Sequence, residues 1–206
     1  MRYYAGIGSR DTPLYWCAKM AEEAKQLAWK GFILRSGHAD GADKAFEEGC
    51  DFHDPTLKEI WIPWKGFNGS DSTNLPSPEA FEMAAAFHPA WSRCGRGARA
   101  LHARNCHQIL GRDLKTPVEF VVCWTKAGKL VGGTAQALRI ALHHDIPIWN
   151  YGSGMWSKSM PISSDMDEWI GIWFEANTGR LSVETVNMLN SGHWFTGKEW
   201  RKLDHE

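Results

Sequence analysis

At 206 residues with 43% hydrophobic content, the chain is long enough to bury one sizeable core and falls short of two average domains. Its 23 basic and 24 acidic residues leave a formal net charge of -1, so the overall field attracts neither nucleic acid nor anionic lipid, and any polyanion site has to be local. No basic leader followed by an apolar stretch is read at Met1 to Arg10, and no apolar run reaches bilayer length, so a cytoplasmic location without a membrane partner is expected.

Arg2 to Gly8 reads as a short buried strand ending in a glycine turn, with Pro13 in the first turn of a helix that runs to about Lys30. Cys17, Met20, Ala21, Ala24, Leu27 and Ala28 repeat at the spacing of one packed helix face, and Gly31 is the expected stop. Phe32 to Arg35 gives a second strand, Ala39 to Gly49 a second helix, and Ile60-Trp61-Ile62-Pro63 a third strand. That alternation predicts right-handed crossovers and a parallel sheet.

Trp64 to Pro78, rich in Gly, Ser, Asn and Pro, is expected as an irregular loop, followed by helices at Pro78 to Phe87 and Ala98 to Leu110. Val118 to Trp124 is the clearest strand and is expected to be central. A turn at Lys126 to Lys129 leads through Gly132-Gly133-Thr134 into a helix ending at His144, and Ile146 to Asn150 is the fifth strand. The fold class expected is α/β, a Rossmann-like doubly wound parallel sheet of about five strands with helices on both faces over residues 1–150. A Trp-rich extension over 151–206 is expected to carry an amphipathic helix at Met166 to Ala176 and to pack on the domain or on a partner subunit.

In a parallel sheet, ligands bind beyond the carboxyl ends of the strands, and each informative turn falls at such an end. Gly8-Ser9-Arg10 follows strand one, Ser36-Gly37-His38 follows strand two, and Thr125 to Thr134 spans the gap between strand four and its helix. Glycines let backbone N–H groups approach a phosphate, a helix N-terminus adds partial positive charge, and Arg10 supplies a fork of donors. Arg104-Asn105, inside the helix before the central strand, is placed to complete the pocket. Asp40 reads as a helix cap, while Asp43 is free to accept from a ribose hydroxyl or a base edge. The five cysteines (Cys17, Cys50, Cys94, Cys106, Cys123) show no zinc-type spacing and are expected as buried thiols, and His38, His88 and His102 match no metal pattern, so neither metal nor cofactor is expected. The 12 tryptophans are expected chiefly as core or rim packing.

Four motifs, Gly6-Ile7-Gly8-Ser9-Arg10, Ser36 through Asp43, His102-Ala103-Arg104-Asn105 and Gly132 through Ala137, stand in the order of the superfamily that joins the DNA-processing protein DprA (Smf) with the LOG-type phosphoribohydrolases. The resemblance covers roughly Arg2 to Asn150. It implies a Rossmann-like domain that binds nucleotides, nucleotide-derived signals or single-stranded DNA, usually as a homodimer or higher homo-oligomer. In the LOG-type enzymes an arginine and a glutamate assist cleavage of the N-glycosidic bond. Their counterparts here are Arg104 and, in place of the carboxylate, the neutral Gln136.

The first reading is therefore a binding site for a phosphorylated nucleotide or nucleotide-derived signal, made by Gly8, Ser9, Arg10, Ser36, Gly37, His38, Asp43, Arg104, Asn105, Thr125, Gly132, Gly133 and Thr134. The alternatives are LOG-type hydrolysis or transfer on a nucleoside monophosphate, for which Gln136 lacks the anion that an oxocarbenium-like state needs, and DprA-like single-stranded DNA binding, supported by the basic segment Arg93 to Lys115. An Arg104→Ala substitution is expected to remove ligand binding with the fold intact.

Overall fold

β1 (Arg2–Gly8) alternates its side chains between two helical layers, as a strand buried on both faces must. Ala5 and Ile7 belong to one cluster with Ala103, Cys106 and Ile109 of α4 (Arg96–Leu110) and with Ala137, Leu138 and Ile140 of α5 (Thr134–His143). Tyr4 and Gly6 face the other way. The Tyr4 ring stacks on Phe120 at 5.8 Å and meets Phe46 of α2 (Ala42–His53) edge-on at 6.3 Å, and a Cβ on Gly6 would fall 2.5 Å from the Phe46 ring. α1 (Leu14–Trp29) packs extensively on α2 and so lies on that same face.

The computed structural model describes residues 1–130, 132–153, 155–156, 193–195 and 200–202. They fall into two units, Met1–Lys158 and Ser159–Glu206. In the first, β2 (Phe32–Ser36), β3 (Lys58–Ile60), β4 (Phe120–Trp124) and β5 (Ile148–Asn150) join β1 in the expected five-stranded parallel sheet. A short edge strand, β6 (Met155–Trp156), adds antiparallel to β5, giving the order β3-β2-β1-β4-β5-β6. α3 (Pro78–Phe87), capped by the Ser77 hydroxyl, packs on α4. In the second unit, β7 (His193–Phe195) pairs antiparallel with β8 (Trp200–Lys202). The helix expected at Met166 to Ala176 lies outside the described residues.

Several boundaries move for local reasons. α2 starts at Ala42, three residues after the expected start, because His38 (φ 56°) and Gly41 (φ 79°) turn the chain before it can coil. Gly41 is the N-cap, and Asp40 instead pairs with Lys44 at 2.6 Å, so the capping role read for Asp40 is not the one it plays. β5 begins at Ile148: the N–H of Ile146 bonds back to Ala141 at 2.9 Å, and Pro147 has none to offer. β3 sits earlier than Ile60 to Pro63, and Trp61 bridges to Asn74 in the following loop. Among the described residues no helix is long and apolar enough to cross a membrane.

Candidate functional site

The crossover direction reverses between β1 and β4, the neighbours at the centre of the sheet, and ligand crevices of this architecture open outside the carboxyl ends at such a reversal. A cavity of about 570 Å³ lies there, walled by the turn after β1, the start of α2, one face of α4 and the β4-to-α5 connection. Gly8, Ser9, Arg10, Asp43, Arg104, Asn105, Thr125, Gly132, Gly133 and Thr134 of the predicted set all line it. Ser36, Gly37 and His38 do not.

The inner wall is an ion pair. Arg104 Nη1 donates to Asp43 Oδ2 at 3.3 Å, with both side chains about 95% buried. Asp43 Oδ1 also accepts the Gly8 N–H at 3.1 Å. Burial pushes the Asp43 carboxyl above its ordinary range, opposed by the Arg104 charge and the backbone donors of Ala39 and Gly8. Gly37 makes room for the guanidinium: a Cβ there would sit 1.0 Å from Arg104 Nη1. The Gln108 amide completes the clamp, oriented so that its oxygen accepts from Gly37 N–H and Arg104 Nη1 and its nitrogen donates to Asn105 Oδ1, each at 3.0 Å. Arg104 Nε is buried without a hydrogen-bond partner among the described residues. Ser36 and His38 brace the same wall from behind. The Ser36 hydroxyl donates to the Gly6 carbonyl at 2.7 Å, and His38 Nδ1 lies 2.8 Å from Glu47 Oε2.

The turn after β1 spends most of its polar groups internally. Ser9 N–H donates to Trp124 O at 3.2 Å, and Ser9 O accepts from the Thr12 hydroxyl at 2.7 Å and from Thr12 and Ala42 N–H. Gly41 permits this closeness, since a Cβ on it would fall 2.6 Å from Ser9 O. Arg10 is different: its side chain is exposed at the cavity and has no hydrogen bond or ion pair among the described residues.

The opposite side is held open. Asn150, which the sequence reading passed over, clamps Thr125 at both ends: its Oδ1 accepts the Thr125 N–H at 3.1 Å and its Nδ2 donates to Thr125 Oγ1 at 2.7 Å. Asn105 Nδ2 donates to Gly133 O at 3.0 Å and ties α4 to the start of α5. Among the described residues no side chain caps α5, no carboxylate lies in its first turn, and the N–H groups of Thr134 and Ala135 have no acceptor. Gly132 has φ 72°, a conformation that favours glycine, whereas Gly133 is helical (φ -64°, ψ -38°), and a Cβ on either would meet nothing within 4 Å.

Gln136 points away from this space. Its Nε2 donates to Ala84 O of α3 at 2.9 Å, and the side chain is fully buried. The aromatic in the cavity lining is Phe67, meeting the exposed Trp64 edge-on at 5.2 Å; it came from the loop read only as irregular, and no motif marked it. Beside the first cavity a second, of about 410 Å³, shares Leu101, Gly132 and Gly133 with it and is lined by His88, His102 and Arg139. His88 and His102 of that lining come together with Cys94, which lies outside it, a grouping their uneven spacing did not disclose. Burial, with His88 and neighbouring arginine charges adding to it, pushes the His102 imidazole down to about 4, so the ring is neutral.

No protein-family model matches the chain, and no curated protein matches it either. Among solved structures it is similar to DNA processing protein A from Helicobacter pylori, whose description concerns a single-stranded DNA binding mode. The identity is 16%, the TM-score 0.47, and the alignment covers 92% of this chain and 79% of that one.

Proposed function

We propose that the chain binds a phosphorylated nucleotide, or a signalling molecule derived from one, in the cavity between β1 and β4. The observation that carries this reading is an anion-seeking surface whose own carboxylates do not satisfy it: among the described residues no side chain caps the start of α5 and no carboxylate lies in its first turn, it shares one lining with Arg10, whose guanidinium makes no ion pair among the described residues, and of the two carboxylates in that lining Asp43 is held by Arg104 and Gly8 while Asp11 pairs with neither. A helix N-terminus whose first N–H groups have no acceptor among the described residues and an exposed arginine fork together suit phosphate oxygens. Phe67, in the same lining, offers a face for a base, and about 570 Å³ lies within the usual range of ligand sites.

Binding is favoured over LOG-type hydrolysis because Gln136 is turned onto α3 and the buried carboxylate in the lining, Asp43, is held by Arg104 and Gly8 rather than free to act. A second reading, single-stranded DNA binding, is favoured by one feature of the rim. Exposed Trp64 packs beside Gly97 at the start of α4, in the segment that holds the exposed Arg93 and Arg96, the aromatic and basic residue types on which bases stack and phosphates pair. Mass spectrometry of the small molecule released on heat denaturation tests the first reading, with a nucleotide expected. A salt-sensitive gel shift with oligonucleotides, lost in Trp64→Ala, would move the conclusion to the second.

A further inference from the structure

We propose that His88, Cys94 and His102 form a binding site for a divalent d-block cation of the zinc class, with a fourth coordination position open to the second cavity. The site stands independently of the nucleotide reading. Three elements build it: His88 is the residue that ends α3, Cys94 ends the short 3-10 turn Trp91–Arg93, and His102 projects from the second turn of α4.

One ligand atom from each residue lies within 4.8 Å of the other two. Cys94 Sγ is 3.7 Å from His88 Nδ1 and 3.9 Å from Nε2. A tetrahedral zinc centre holds sulfur and imidazole nitrogen roughly 3.6 Å apart, so this edge is already near its bound length. The His88 and His102 rings stand 4.3 Å apart between centroids, tilted by 43°. A second, separate observation points to a ligand: His102, 8% exposed, lines the cavity and keeps Nδ1 buried with no hydrogen-bond partner among the described residues. A buried lone pair without a donor is costly unless something electrophilic meets it.

Coordination has defined local consequences. The Cys94 thiol proton leaves to solvent as the thiolate binds. The Ala90 N–H, which donates to His88 Nδ1 at 3.1 Å, is displaced whichever ring nitrogen takes the metal. If Nδ1 ligates, its lone pair is used; if Nε2 ligates, Nδ1 carries the proton. Two neutral imidazoles and one thiolate leave a net charge of +1 on the bound centre. With Arg139 in the same cavity lining, the fourth position suits water or an anionic oxygen.

Cobalt(II) is the probe. Titrated into the full chain after chelator treatment, it is expected to bind at one equivalent with a thiolate-to-cobalt charge-transfer band and the intense visible bands of a tetrahedral centre, both bleached by zinc. The Ala90 amide resonance is expected to shift in parallel. Cys94→Ser should abolish the charge-transfer band, and His88→Asn and His102→Asn should each weaken binding roughly tenfold or more. His53→Asn, on α2, should leave binding unchanged. Circular dichroism establishes that each variant folds, and if His102→Asn does not, the more accessible His88 decides. Absence of a stoichiometric band, or a band unaltered by Cys94→Ser or by His88→Asn, overturns the site.

Discussion

On the β1 and β2 side of the cavity a Cβ on Gly37 would lie 1.0 Å from the Arg104 guanidinium, and one on Gly41 would lie 2.6 Å from Ser9 O; on the α5 side, Gly132 and Gly133 have open space around them. The first pair of glycines exists so that protein can approach protein. The second pair faces space that no described atom fills. The same contrast holds for polar groups: the N–H groups of Gly8 and Ser9 are bonded to Asp43 and Trp124, while the first N–H groups of α5 and the Arg10 side chain have no such partners among the described residues. One side is a packed floor and the other is the surface on which the proposed phosphate would rest.

Arg104→Ala breaks the floor most severely. It leaves Asp43 buried without its counter-charge, so the fold should lose about 3–5 kcal/mol as measured by urea unfolding. An intact fold, the expectation from sequence, does not follow for this variant because both members of the pair are buried.

Glu23 shows what a buried carboxyl does without an arginine. Its partner among the described residues is the Tyr151 hydroxyl at 2.5 Å, and burial raises its pKa to about 7. The folded state then holds a proton that the unfolded chain has already released, so stability falls as pH rises from the ordinary carboxylate range to about 7. Thermal unfolding of Glu23→Gln at pH 8 should show a gain of about 3 kcal/mol over the parent, with that pH dependence flattened. A parent pH profile flat across this window would contradict the assignment.

Gly37→Ala should cost about 1–3 kcal/mol by overpacking the guanidinium, and its effect on a ligand should follow from Arg104 moving rather than from a lost contact. Gly133→Ala separates the two sides most cleanly. With helical dihedrals and free space, it should stabilise the fold by about 0.4–1 kcal/mol while weakening nucleotide binding. Arg10→Ala should change stability by less than about 0.5 kcal/mol, since the side chain is exposed, yet lower affinity for the phosphorylated ligand.

The parallel sheet was legible because β1, β2 and β4 are largely apolar runs, the first two closed by Gly8 and Ser36 and the third by Trp124 before Thr125, and the ordered turns located the cavity at their ends. What each turn residue does there was not legible. Ser36 and His38 carry the residue types of a binding turn, but their bonds run to Gly6 and Glu47. Asn150, Phe67 and the His88, Cys94 and His102 group depend on contacts across 25 residues or on uneven local spacing, which no periodicity encodes. The edge strand β6 is two residues long, too short to leave an alternating pattern.

The most direct test is calorimetric titration of a panel of nucleosides and their 5′-phosphates into the parent chain and Gly133→Ala. The account predicts that a phosphorylated member binds, that its nucleoside does not, and that Gly133→Ala weakens the phosphate-dependent binding in a fold at least as stable as the parent. Equal binding of nucleoside and nucleotide, or phosphate-dependent binding untouched by Gly133→Ala, would contradict it.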